Sequence, residues 1–250
     1  MKYIEETRRL KFDIEEVFIC DTERKTLPFR QAARCKIKTI SSWKQFEAVM
    51  RAGSGLLDFK ANEQDKADYY NPVKIVVVDS FTRILYLLSE FLKRNKVTGY
   101  DYWREYSDIL EQLLMTWQSK GRFIVFTALD EIVRDSDSID RIVVKVDGKK
   151  LEGKIESFFT IVLHTHFNPL KQGAEAYQFC TNTDGRNTAK SPDGMFAERY
   201  IQNDMSLVLG AIYDYYDMAN NPDFMPSPIL VCGKSGSGKS TSAKYLFEDS

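Results

Sequence analysis

The feature that most constrains this chain is the octapeptide Gly233-Lys234-Ser235-Gly236-Ser237-Gly238-Lys239-Ser240. It lies between an apolar run, Ile229-Leu230-Val231-Cys232, and a segment, Ser240–Glu248, whose pattern predicts a helix. It satisfies G-x-x-x-x-G-K-[ST] at every fixed position, in the strand–loop–helix setting that this phosphate-binding pattern requires. Glycine lets the backbone curl until successive N–H groups face an anion, and a helix start adds partial positive charge. In such a loop the lysine, Lys239, reaches the β- and γ-phosphates, and the hydroxyl of Ser240 holds Mg²⁺. The expected ligand of Gly233, Lys234, Ser235, Gly236, Ser237, Gly238, Lys239, Ser240 and Thr241 is therefore ATP with Mg²⁺. The plainer alternative is an accidental Gly/Ser-rich turn, against which the flanking strand and helix both count. The location is anomalous. Only ten residues follow Ser240, too few to build a domain behind a loop that ordinarily opens one.

Length and composition suit one sizeable soluble α/β domain: 250 residues, 43% apolar and 28% charged. No run approaches the roughly 18 apolar residues of a membrane span. Met1–Glu6 has no apolar core of the signal-peptide kind. The four cysteines, Cys20, Cys35, Cys180 and Cys232, are scattered, and the expectation is a reducing cytoplasm. With a net charge of −1, any grip on nucleic acid has to come from a local patch.

Along the chain, residues 1–11 read as a short helix or its tail. Glu16–Asp21 is an apolar run ending in acid, as a buried parallel strand does. Lys36–Ile40 reads as a further strand, Ser41 or Ser42 as the cap of a helix over Trp43–Arg51, and Ala52–Asn71 as loop. Lys74–Ser80 is the clearest strand, with four β-branched residues in a row, Ile75-Val76-Val77-Val78, before Asp79. Phe81–Lys93 has helical apolar spacing, and a longer helix carrying Trp103, Tyr106, Leu110, Leu113, Leu114 and Trp117 runs to Gly121. Arg122–Thr127 is another buried strand. Asp140–Val146, the turn Asp147-Gly148 and Lys154–Leu163 predict antiparallel strands around a hairpin, with Ala176–Thr181 as a further partner. Glu198–Tyr216 reads as helix, and Met218–Pro228, with three prolines, as linker.

Either residues 229–250 are the stub of a second domain, or the chain is circularly permuted and they are the first βα unit of a single domain. The second reading is preferred. One strand and one helix cannot bury their own apolar faces, and the chain before Met218 supplies acidic strand ends but no phosphate loop. Read from Met218 round to Asp217, the order of elements resembles that of the RecA-like P-loop ATPases. Ile19-Cys20-Asp21-Thr22-Glu23 resembles the strand ending in that family's catalytic glutamate, and Val76-Val77-Val78-Asp79-Ser80 its Walker B strand. The nearest likeness is to the short phage ATPases of the group, AAA-family or nucleotide-binding proteins of single-strand annealing and recombination. Phe126-Thr127-Ala128-Leu129-Asp130-Glu131 and Thr188-Ala189-Lys190-Ser191-Pro192 add to it. The resemblance implies a single RecA-like domain over 1–250: a mostly parallel sheet flanked by helices, an antiparallel extension, and 218–228 joining former termini. It also implies the cytoplasm of a bacterial host, if the chain is phage-encoded.

Asp79, at the end of a buried strand, is expected to hold Mg²⁺ with Ser240; capping the next helix is the plainer role. Glu23 is the expected general base on the attacking water, partly by resemblance, with Asp21 as runner-up and a solvated acid beside Arg24 and Lys25 as the alternative. RecA itself resembles this region but has a glutamine where Leu129 stands; leucine donates no hydrogen bond, so a γ-phosphate sensor role would pass to Thr127 or Asp130. Single-stranded DNA is the expected polymer partner, with Lys93, Arg94, Lys96, Tyr100 and Tyr102 as candidate contacts. Trp103 reads instead as core, and Lys149 and Lys150 offer a second contact. A protein partner loaded under nucleotide control is the competing expectation. Arg186 or Lys190 would act in trans in a homo-oligomer, against a plainer reading as surface cations. His164 and His166 lack a third ligand at metal spacing and read as structural.

Overall fold

The computed structural model describes residues 1–57, 59–116, 122–134, 139–146 and 154–247. The chain opens with strands where a helix was expected over 1–11: β1 (Lys2–Ile4) and β2 (Arg9–Lys11) form an antiparallel hairpin. Its local charge pattern hides this, because the hairpin's packing partner is more than half the chain away. Tyr3 stacks on Tyr213 with ring centroids 5.0 Å apart. β3 (Val17–Asp21) is buried along its whole length, and β4 (Lys36–Thr39) is largely exposed. Ser42 accepts a hydrogen bond from Gln45 N–H and starts α1 (Trp43–Gly53). The region expected to be loop over 52–71 contains α2 (Gln64–Tyr70), which buries Tyr70 against Phe18 and Phe59.

β5 (Ile75–Asp79) and α3 (Phe81–Arg94) follow as expected, with the Ser80 hydroxyl capping α3. α4 (Gly99–Thr116) leads to β6 (Phe123–Ala128), which is buried throughout; the Leu114 side chain, Trp117 and Gly121 lie outside the described residues. β7 (Asp130–Arg134) and β8 (Asp140–Val144) make a separate antiparallel ribbon. That corrects the hairpin expected between 140–146 and 154–163, since the partner of β8 precedes it. Asp147, Gly148, Lys149 and Lys150 lie outside the described residues. β9 (Ile161–Phe167) enters the main sheet, and β10 (Tyr177–Cys180) pairs with it antiparallel. The helix expected over 198–216 is divided: β11 (Tyr200–Gln202) comes first, and α5 (Met205–Tyr215) begins only where Asp204 caps it. After β12 (Ile229–Cys232) and the glycine-rich loop, the helix expected from Ser240 is present as a 3-10 helix over Ser240–Leu246.

Among the described residues eight strands form the main sheet, in the order β11-β10-β9-β12-β6-β5-β3-β4. Those from β9 to β4 are parallel, and β10 and β11 are antiparallel at one edge. Period-2 alternation divides the strands between two cores. Phe18, Val76, Val78, Phe126 and Leu230 face α1, α3 and α4. Val17, Val77, Val125 and Val231 face α5 and the 3-10 helix. β2 and the residue after it meet the last described residues, because Phe12 N–H donates to Leu246 O at 2.8 Å and Lys11 Nζ to Tyr245 O at 2.6 Å. Among the described residues no helix is long and apolar enough to cross a membrane.

The hairpin presses on α5 at Gly210, where an added Cβ would stand 2.1 Å from Arg8 O. Replacing a mid-helix glycine by alanine ordinarily stabilises by about 0.5–1 kcal/mol. Here the backbone contact reverses the sign: Gly210→Ala is expected to lose about 1–3 kcal/mol in urea unfolding. A gain in stability would show that the hairpin does not sit on this helix.

Candidate phosphate-binding site

One row of paired residues crosses the carboxyl ends of the parallel strands: Asp21 opposite Asp79, Asp79 opposite Thr127, Thr127 opposite Val231. Open α/β sheets bind their ligands beyond this edge. β12 delivers the glycine-rich loop here although β6 separates it from β5. Gly236 and Gly238 take φ values of +77° and +90°, which favour glycine. At Gly233 a Cβ would fall 1.8 Å from Thr165 Oγ1, so β9 admits only glycine there.

The loop and the acidic edge meet directly. Ser240 Oγ donates to Asp79 Oδ2 at 2.6 Å, and Thr127 Oγ1 donates to Asp79 Oδ1 at 2.5 Å. Asp79 also anchors the neighbouring strand end, where its carbonyl accepts from Thr22 N–H at 2.8 Å. Glu23 is held by the Ser80 hydroxyl, which donates to Oε1 at 2.6 Å. Asp21 accepts the N–H groups of Glu23 and Arg24, at 3.0 and 2.8 Å. It therefore shapes the turn that presents Glu23, whose other oxygen, Oε2, pairs with exposed Lys25 at 3.4 Å. Burial raises the Asp21 pKa, aided by Asp79 and Glu23 and opposed by those two amides.

Lys239 is buried, and its ammonium donates to Gly233 O and Lys234 O, both at 2.8 Å. Burial lowers its pKa, and nearby Asp79, Asp130 and Glu23 oppose the shift. Asp130 is raised by burial and held down in part by Lys239 and Lys234. These groups surround a cleft of about 410 Å³ lined by Asp21, Glu23, Asp79, Leu129 and Ser235 to Thr241. That volume lies within the roughly 300–1,000 Å³ usual for small-molecule sites. Asp79 with Ser240 suits Mg²⁺, which takes one or two carboxylates and completes its shell from phosphates and water. Among the described residues no group of three or more His, Cys, Asp and Glu could hold a metal without such help.

Thr127, expected as a sensor, has its hydroxyl on Asp79 instead. Ser80 and Thr22 lie within the two stretches that resemble family strands, but the sequence gives neither a role of its own; adjacency to the strand-end acids is the signal that points to them. Of the candidate polymer contacts, Lys93, Arg94, Lys96 and Tyr100 are exposed. Tyr102 is not: its hydroxyl donates to buried Ser89 Oγ at 2.8 Å and its ring packs on Tyr106, which corrects its reading as a stacking residue. Trp103 packs against the core. The Lys93–Lys96 turn is far from the cleft, since α3 runs 14 residues away from it, about 20 Å at about 1.5 Å per residue. Arg186 is exposed, whereas Lys190 is half-buried and its backbone pairs with Val162 of β9. Thr188 donates its proton to buried Glu156 Oε1, so its oxygen accepts from His164 Nε2–H. Burial pushes the His164 pKa down to about 4. His166 lies against the Tyr200 ring.

Comparison with protein-family models, curated proteins and solved structures returned no match.

The bond from Thr127 to Asp79 is part-buried and charge-assisted. Thr127→Val keeps the shape and removes the donor, and is expected to lose about 1–3 kcal/mol in chemical denaturation. Unchanged stability would mean that Asp79 does not depend on Thr127.

Proposed function

We propose that this chain is a RecA-like P-loop ATPase that binds ATP with Mg²⁺ and hydrolyses it. The observation that carries the reading is the 2.6 Å contact between Ser240 and Asp79 at the mouth of the cleft that Lys239 and Glu23 share. The loop N–H groups and Lys239 hold the β- and γ-phosphates, and Asp79 and Ser240 hold the metal. Bound Mg²⁺ neutralises charge on the phosphate oxygens. Glu23, fixed by Ser80, orients the attacking water and takes its proton. The strand order, with one strand between loop and acid, supports a RecA-like sheet. The contact of Phe12 with Leu246 supports reading the chain as a rotated single domain.

Lys239→Ala is expected to abolish ATP binding in titration calorimetry. Glu23→Gln is expected to bind ATP normally while turnover falls by about 10²–10⁴-fold. Full turnover in the Gln variant would remove Glu23 from the mechanism.

Single-stranded DNA is the proposed regulator, supported by Lys93, Arg94, Lys96 and Tyr100 exposed on one turn. A protein partner under nucleotide control is the second reading. It is favoured by Ile132, 59% exposed on the β7–β8 ribbon that begins beside cleft residue Leu129. Single-stranded DNA is expected to stimulate ATP turnover severalfold at low salt and lose its effect as salt rises. Turnover indifferent to DNA across the salt series would favour the protein partner.

A further inference from the structure

The glycine-rich loop has a second flank, away from the acidic edge, and nothing proposed above uses it. There a cavity of about 230 Å³ is bounded by Gly236, Gly238 and Thr241 of the loop and by Tyr177, Asn203 and Tyr245. Thr241 also lines the acid-edged cleft, so the two cavities adjoin across the end of the loop.

Asn203 is the anomaly in this cavity. It follows β11, is 6% exposed, and is tied by its own N–H to Tyr177 O at 3.1 Å. Both polar atoms of its side chain, Oδ1 and Nδ2, are buried with no hydrogen-bond partner among the described residues. Burying an unpaired amide is costly, and Asn203 carries this cost without a partner. It also closes tightly on the loop, since a Cβ on Gly238 would stand 3.0 Å from Nδ2. An amide offers one donor and one acceptor on a rigid plane. That is the complement of an adenine edge, whose amino group donates while the adjacent ring nitrogen accepts.

The other wall supplies a ring. Tyr177 is 40% exposed at the cavity and braced by Phe167, edge to face, with centroids 5.5 Å apart. A braced, half-exposed tyrosine is a stacking platform for a base. The acid-edged cleft has no Asn or Gln in its lining, so no side-chain amide faces it.

We propose that Asn203 and Tyr177 read the base of the nucleotide whose phosphates occupy the loop. Asn203 pairs with the amino-purine edge of adenine, and Tyr177 stacks on its face. This rests on the ATPase reading above and extends it: the antiparallel strands β10 and β11 become the specificity wall of the site.

The test is calorimetric titration of the full chain with Mg-ATP, Mg-GTP and Mg-tripolyphosphate, the last having phosphates and no base. Wild type is expected to bind ATP at least tenfold more tightly than either of the others. Asn203→Ala and Tyr177→Ala are each expected to weaken ATP by about tenfold, within the range of a lost base contact, and to leave tripolyphosphate within twofold. Tyr177→Phe, which keeps the ring, should retain ATP affinity. Equal losses for ATP and tripolyphosphate, or no loss for ATP, would overturn the base assignment. Wild type that binds tripolyphosphate without preferring ATP overturns it and leaves the phosphate loop standing. Wild type that binds neither ligand overturns both. Should Asn203→Ala fail to fold, Tyr177→Ala at its half-exposed position decides the same ratio.

Discussion

The site depends on one carboxylate. Asp79 accepts from Ser240 through one oxygen and from Thr127 through the other, and its backbone carbonyl takes the N–H of Thr22. It thereby joins β5 to β6 and β3, and all three to a loop that lies 161 positions away in sequence. Short hydrogen bonds to a charged acceptor are about twice as strong as neutral ones. The two hydroxyls also have separate geometric roles. Thr127 fixes the carboxylate plane from within the sheet. Ser240 spends its only proton on Asp79, which leaves its lone pairs directed elsewhere. A hydroxyl so oriented can ligate a cation without first breaking its bond to the acid.

The charge balance around that node explains why the phosphate reading requires a divalent ion. Asp79, Asp130 and Glu23 all act on Lys239 from nearby. Lys239 itself is turned inward onto the carbonyls of Gly233 and Lys234. A triphosphate entering this frame meets carboxylates as well as the ammonium, and at short range in a partly dry cleft those repulsions are large. Under the ATPase reading, lysine and loop amides would counter them only in part, and Asp79 with Ser240 would hold a divalent cation that supplies the missing positive charge. Release of Lys239 from its two carbonyls then becomes part of the binding step under the ATPase reading.

What the sequence made legible follows the range of the forces involved. The strand Ile75–Asp79, the helix from Phe81, and the glycine positions of the loop are set by local pattern and backbone sterics, and were readable; the cap of that helix is Ser80 and not Asp79, the residue the sequence offered for it. The acids at the strand ends were readable because a parallel strand places its last residue at the ligand edge. The hairpin Lys2–Lys11, the ribbon β7–β8 and strand β11 were not, because their stability comes from partners distant in sequence. Tyr102 was misread because one turn of aromatics and cations looks alike whether a ring faces Ser89 or solvent. Asn203 was invisible for a related reason: the segment around it has helical composition, and only the sheet shows that it ends a strand against the loop.

The buried polar atoms that lack partners are not scattered. Among the described residues they belong to Glu156, His164, Thr165, Asn203 and Ser237. Thr165 Oγ1 and Ser237 Oγ crowd Gly233, and Asn203 crowds Gly238. His164 pairs in register with Cys232, the residue before the loop, and is joined to Glu156 through Thr188. Folding leaves few such atoms unpaired, because each is costly. Ser237 belongs to the loop itself, Thr165 and Asn203 stand against its glycines, and His164 is paired with the residue before it. The antiparallel edge is therefore more than a cover for the last parallel strand. Through Tyr177 and Asn203 it also packs directly against the glycine-rich loop.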